Sequence, residues 1–198
     1  MDATGVVLAG GRSSRFGRDK LAADLNGAPL LHHAIRNLSE ECRSVIVVLP
    51  AEGAEPRPPR GIDVRFVRDE VADQGPLRGA VTGLGAVETD WSLLVGGDMP
   101  AVPVAILRLL LERAGDAAGA VLDDGGRIRP LPSALRTAPA RDRAGDLLAG
   151  GERRLRRLLD HDSIAVVEES TWLALDPGRR ALVDVDEPTD LERLRREA

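Results

Sequence analysis

Apolar residues along this chain fall into short β-branched runs that alternate with stretches of helical period. Gly5-Val6-Val7-Leu8-Ala9 is a continuous apolar run that predicts a buried strand. Ser44 to Leu49, Asp63 to Val67 and Trp91 to Val95 repeat the pattern. Between them the spacing becomes helical. Leu30, Leu31, Ala34, Ile35 and Leu38 form one stripe, with Pro29 in the first turn. Leu77, Ala80, Val81 and Leu84 form another within a helix predicted over Pro76 to Val87, and a third helix covers Pro103 to Ala114. Residues 10–28 read as a polar, glycine-rich loop, and residues 50–61, with four prolines, as a surface loop.

The second half is less regular. Gly119 to Leu122 and Arg127 to Leu131, joined by Asp123-Asp124-Gly125-Gly126, predict a hairpin. Two short helices are expected around Arg141 to Leu148 and Glu152 to Leu159, and strands at Ser163 to Val167 and Ala181 to Val185. Pro188 to Arg196 predicts a closing helix, with Asp186 or Glu187 near its cap. Strand–helix alternation with apolar strands predicts an α/β fold with a mostly parallel sheet, Rossmann-like and in three α/β/α layers. No repeat, low-complexity tail or linker divides the chain, so residues 1–198 are expected to form a single domain.

Composition narrows the function. The aromatics are Phe16, Phe66, Trp91 and Trp172, so the core must be aliphatic. With a net charge of -5 and few rings for base stacking, a nucleic-acid partner is not expected. Apolar runs such as Val45 to Leu49 are too short to span a membrane, and the N-terminus has no secretory pattern. Cys42, the sole cysteine, allows no intrachain disulfide and fits a reducing compartment, so a cytoplasmic location is expected. It reads as a small buried hydrophobe.

Ligands of open parallel sheets bind beyond the carboxyl ends of the strands, and the unusual residues sit there. The first strand runs into LAGGRSSRFGRDK. Gly10 and Gly11 let the backbone turn sharply and present N–H groups. Arg12, Arg15, Arg18 and Lys20 add cations, and Ser13 and Ser14 hydroxyl donors, a set suited to a polyphosphate. The segment is neither a P-loop nor a dinucleotide fingerprint. Lys20 is the one lysine among 27 basic residues, and it falls in this loop. A compact ammonium binds phosphate as a point charge that the planar guanidinium does not reproduce.

Asp98, in Gly96-Gly97-Asp98-Met99-Pro100, ends an apolar strand. A carboxylate there either holds Mg²⁺ or caps the next helix, and Pro100 to Pro103 delay that helix. Asp69 is a turn former or a ligand contact. Gly75-Pro76-Leu77-Arg78-Gly79 is a helix start, or a place where Gly79 admits a base or sugar. His32, His33 and His161 lack metal-ligand spacing and read as structural.

Taken together, LAGGRSSRFGRDK, GPLRG and GGDMP closely resemble, in order and spacing, the signature of the MobA-like nucleotidyltransferases. Arg129-Pro130-Leu131-Pro132-Ser133-Ala134-Leu135, Gly151-Glu152-Arg153-Arg154-Leu155-Arg156 and Asp184-Val185-Asp186-Glu187-Pro188-Thr189-Asp190-Leu191 resemble the molybdenum cofactor guanylyltransferase branch more loosely. The resemblance implies a nucleotide-diphospho-sugar transferase type of fold, with residues 1–103 binding NTP and metal and 104–198 the acceptor. It implies transfer of GMP from GTP to the terminal phosphate of molybdopterin. Leu8, Ala9, Gly10 and Gly11 would contact the nucleotide, with Gly75 and Gly79. Arg15 and Lys20 would meet the phosphates, Asp69 the nucleoside and Asp98 the Mg²⁺. Transient contact with molybdoenzymes or cofactor-delivery proteins is implied as well. The chain departs from the family pattern at Phe16, Val48, Asp184 and Asp186, the last two standing where asparagines are usual. Asp186 offers the metal a second carboxylate. The alternatives are a related transferase using CTP or another phosphorylated acceptor, and a non-catalytic nucleotide-binding subunit.

Overall fold

Alternate residues of strand β1 (Ala3–Leu8) face two different cores, and that forces a layer of helices on each side of the sheet. The computed structural model describes residues 1–10, 20–69 and 75–196. After β1 come a 3₁₀ turn at Lys20–Ala22, a two-strand hairpin of β2 (Asp24–Leu25) and β3 (Ala28–Pro29), and helix α1 (Leu30–Ser39). Strands β4 (Ser44–Leu49) and β5 (Val64–Arg68) lead to α2 (Pro76–Gly85), β6 (Trp91–Gly96) and α3 (Val104–Ala114). The hairpin of β7 (Gly119–Asp124) and β8 (Arg127–Arg136) runs into α4 (Thr137–Ala149). A 3₁₀ turn at Leu155–Leu158, β9 (Ile164–Val167), α5 (Glu169–Leu173), a 3₁₀ turn at Arg180–Leu182 and α6 (Pro188–Arg196) complete the described chain.

The main sheet has seven strands in the order β5-β4-β1-β6-β8-β7-β9. All pairings are parallel except those of β8, which runs against both β6 and β7. Val7, Val47 and Val95 pack beneath Leu31, Ile35 and Leu38 of α1 and Ile106 and Leu110 of α3. Val6, Ile46 and Leu94 pack on the other face against Leu77, Ala80 and Leu84 of α2 and Ala140 and Ala144 of α4. Helix α6 forms a third small cluster, with Leu191 and Leu194 on Leu25 and Leu30. This is the expected α/β domain with a mostly parallel sheet. Among the described residues no helix is long and apolar enough to cross a membrane.

Several boundaries differ from the sequence expectation. The loop predicted over residues 10–28 contains the β2–β3 hairpin, which turns at Asn26 and Gly27, both at positive φ (52° and 84°). That is the signature of a two-residue hairpin turn. Pro29 precedes helix α1 as its cap instead of sitting in its first turn. Residues 152–159 form only the 3₁₀ turn at Leu155–Leu158, and α5 was not predicted. Ala181 to Val185 is not a strand: after the 3₁₀ turn at Arg180–Leu182 the chain extends across the sheet edge without joining a ladder. Ala181 and Val185 are buried there without a strand partner.

Candidate functional site

Parallel strands deliver their carboxyl ends to one edge, and here backbone bonds fasten those ends together. The Ala9 N–H donates to the Val48 carbonyl at 3.0 Å, and the Gly97 N–H to the Leu8 carbonyl at 3.0 Å. β6 ends at Gly96 and is followed by Asp98. A Cβ at position 96 would sit 2.5 Å from Asp98 Oδ1, so glycine there is what leaves room for the carboxylate.

A third piece arrives from the far end of the sequence. The Val185 N–H donates to the main-chain oxygen of Asp98 at 2.8 Å, which sets Asp184 and Asp186 beside it. Lys20 bridges the groups: its Nζ donates to Asp98 Oδ2 at 2.7 Å and to Asp186 Oδ1 at 3.2 Å. Its side chain is only 14% exposed. Burial works against the ammonium, but hydrogen bonds to Asp98 and Asp186 and their charges outweigh it and raise its pKa. The Asp184 carboxyl is pushed up to about 6, by burial first and then by the charge of Asp98, against the pull of Arg129. Asp98 and Asp186 thus converge on one cation. Among the described residues no three His, Cys, Asp or Glu side chains cage a metal by themselves. Mg²⁺ fits such a pair, because it takes one or two carboxylates and completes its shell with phosphate oxygens and water. Asp98 Oδ1 has no hydrogen-bond partner among the described residues and is available for it.

Of the residues expected at the site, Leu8, Ala9, Gly10, Lys20 and Asp98 line one cavity of about 590 Å³ on the α1 side of the edge. Gly11 and Arg15 lie outside the described residues, as do Arg12, Ser13, Ser14, Phe16 and Arg18. Asp69, Gly75 and Gly79 are not among the lining residues and sit on the α2 side. Asp69 follows β5, where its carboxylate accepts from Arg78 Nε at 3.1 Å. Gly75 caps α2 at a φ of 77°, and a Cβ there would be 2.8 Å from the Arg153 carbonyl, which also accepts from the Leu77 N–H at 3.2 Å. A Cβ at Gly79 would meet Leu8 Cδ2 at 3.7 Å and Val48 Cγ1 at 3.9 Å, so the glycine leaves a shallow dent over the ends of β1 and β4.

His32 Nε2 bonds the Arg57 carbonyl and His33 Nε2 the Leu25 carbonyl, both at 2.8 Å, His161 Nδ1 accepts from the Ser163 N–H at 3.3 Å, and His32 also lines the cavity. Cys42 is buried, and burial pushes its thiol up to about 12, well away from a reactive thiolate. Sequence reasoning did not single out Arg78 or Arg129. Arg78 was visible only as the variable position of GPLRG, and Arg129 only as the start of a loosely matched segment.

The sequence profile of the MobA-like NTP transferase domain matches residues 5–166. A probable molybdenum cofactor guanylyltransferase of Natronomonas pharaonis is 32% identical over 97% of this chain and 96% of its own length. The molybdenum cofactor guanylyltransferase of Serratia proteamaculans is 31% identical over 79% of each chain. Among solved structures, a nucleotidyl transferase from Methanothermobacter thermautotroptrophicus superposes with a TM-score of 0.75 at 27% identity, covering 99% of this chain and 97% of that one.

Proposed function

The chain belongs to the MobA-like NTP transferase domain family, and from that premise we propose that it transfers GMP from GTP to the terminal phosphate of molybdopterin, releasing pyrophosphate. The observation that carries the reading is the convergence of Lys20, Asp98 and Asp186 beyond the carboxyl ends of the strands, in a chain similar to guanylyltransferases along nearly its whole length.

An oxygen of the acceptor phosphate attacks the α-phosphorus of GTP, and the bond to the β-phosphate breaks as pyrophosphate leaves in line. The protein's contribution is positioning and electrostatic stabilisation. Leu8, Ala9, Gly10 and Gly11 would contact the nucleotide, together with Asp69, Gly75 and Gly79. Lys20 and Arg15 offset the charge that develops on the departing pyrophosphate. Asp98, with Asp186 beside it, would hold Mg²⁺, which supplies charge neutralisation at the phosphate oxygens when bound. Residues 1–103 serve the NTP and metal, and the later residues the acceptor. The setting is the cytoplasm, with the product passed on to molybdoenzymes or cofactor-delivery proteins.

A pyrophosphate-release screen tests this directly. GTP, CTP, ATP and UTP are offered with Mg²⁺ against molybdopterin and other phosphorylated acceptors. GTP with molybdopterin should give the highest rate, and calorimetry should rank Mg–GTP first. A clear preference for CTP would reassign the chain to cytidylyl transfer, and no release with any pair would remove the enzymatic reading.

A further inference from the structure

We propose that Arg129 is the residue that receives the phosphate monoester of the acceptor. The inference deepens the transfer reading above and rests on it. It begins with two strands that part. β6 and β8 pair from Trp91 opposite Arg136 to Leu94 opposite Ser133, and no further. β8 continues along β7, past a register shift at Val121 and Leu122, out to Arg127 opposite Asp124. Residues 184–186 come up to the end of β6, tied to Asp98 by the Val185 N–H. Arg129, opposite Leu122 and past the end of the β6 pairing, meets them at Asp184.

The guanidinium of Arg129 makes no hydrogen bond to the described residues and holds only two long ion-pair contacts. Its Nε is buried and has no hydrogen-bond partner. Its Nη1 is 3.8 Å from Asp124 Oδ2 and its Nη2 3.7 Å from Asp184 Oδ2, both beyond hydrogen-bond distance. Asp124 is already held by Arg179. Arg68 and Arg143, by contrast, spend their donors on backbone carbonyls, Arg68 on those of Pro50 and Gly53 and Arg143 on those of Leu158, Arg157 and Asp160. A buried donor left unmatched on a charged group, as Nε is here, is costly unless a ligand completes it.

Charge points the same way. An anionic acceptor must approach an edge that carries Asp98, Asp184 and Asp186. The Lys20 ammonium is engaged by two of these carboxylates. Among the described residues, Arg129 is the other cation in direct contact with the trio, and its one link there is the long contact to Asp184. A phosphate dianion matches the guanidinium fork with two parallel bonds, whereas Asp184 now offers one distant oxygen. The acceptor phosphate is thereby held beside the metal-binding carboxylates, with an oxygen left to attack.

The test compares wild type with Arg129→Gln, Arg129→Lys and Asp184→Asn. Inorganic phosphate is titrated into each protein without nucleotide or metal, and binding is read from ³¹P line broadening. Phosphate should bind wild type, bind Arg129→Gln at least about tenfold more weakly, and bind Asp184→Asn more tightly because a competing carboxylate is gone. Arg129→Lys, which keeps the charge without the fork, should fall between. In steady-state transfer, Arg129→Gln should raise the KM for the acceptor by a similar factor while calorimetry shows Mg–GTP affinity within about twofold of wild type. Equal phosphate binding by wild type and Arg129→Gln, or weakened binding by Asp184→Asn, overturns the proposal. If wild type transfers nothing from GTP, the transfer reading fails by itself, and the phosphate titration still decides whether Arg129 is an anion-binding residue.

Discussion

Replacing Lys20 by methionine and by arginine separates what its charge does for the fold from what its shape does for the reaction. Lys20→Met keeps the stem and removes a cation that touches Asp98 at 2.7 Å and Asp186 at 3.2 Å. The bond to the partly buried Asp98 is worth about 1.5 kcal/mol, at the low end for a charged hydrogen bond. The one to Asp186, whose side chain is 62% exposed, is worth between 0 and about 1 kcal/mol once solvent screens it. The loss of about 2 kcal/mol should lower the melting temperature of a chain this size by about 4–8 °C. The ammonium is held above its ordinary 10.5, so this contribution is complete below that value and fades only as pH climbs through the raised folded value. The gap between wild type and Lys20→Met should therefore be flat from about pH 7 to pH 9. Saturating Mg²⁺ should restore part of it, because a second cation can take the place between the same two carboxylates. Lys20→Arg preserves the charge and should cost less than about 1 kcal/mol. Its planar fork is too wide for a position that is 14% exposed, and displacing a reacting phosphate by about 1 Å can cost on the order of a hundredfold in turnover. Thermal melts with and without Mg²⁺, alongside steady-state kinetics, separate the effects. A Lys20→Met protein that melts within about 1 °C of wild type refutes the bridge. Wild-type turnover in Lys20→Arg removes Lys20 from the reaction.

Two further perturbations probe the neighbouring carboxylates. Asp98→Asn should reduce transfer by at least about a hundredfold while the fold is kept, because the backbone bond to Val185 survives; near-normal turnover at saturating Mg²⁺ would contradict the metal assignment. Asp184→Asn should stabilise the protein. A carboxyl raised from 3.8 to about 6 weakens the native state as pH rises between those values, so the gain is full above about pH 6, on the order of 1 kcal/mol after discounting for a 44% exposed side chain, and absent below about pH 4. Urea unfolding at pH 7 and at pH 3.5 checks it, and an equal gain at both would show that the carboxylate's charge is not the cause.

The parallel half of the fold was legible because its signals are local. Each apolar run of β1, β4 and β6 declares a buried strand, and the stripe of α1 declares which face packs. Gly125 and Gly126 announced the β7–β8 turn, since both adopt positive φ. That β8 would insert between β6 and β7 was not legible, because strand order is decided by long-range packing. The same distance hid the site's third wall. The apolar residues of 181–185 suggest burial, but they cannot say that Val185 spends its N–H on Asp98 instead of on a neighbouring strand. Arg129 appeared only as the start of a loosely matched segment, since a buried Nε without a hydrogen bond is recognisable only once its surroundings are known.

The bond from Lys20 to Asp186 joins residues 166 positions apart, and it sets a clock on synthesis. A nascent chain can lay down β1, β4, β5 and β6 while the ribosome is still translating the remainder. The carboxylate pair is complete only after residue 186 has emerged and α6 has settled on the β2–β3 hairpin. Until then the half-made protein carries Asp98 without its companion and Lys20 with a single partner. A polypeptide released before that point would lack the paired carboxylates and the Lys20 bridge between them.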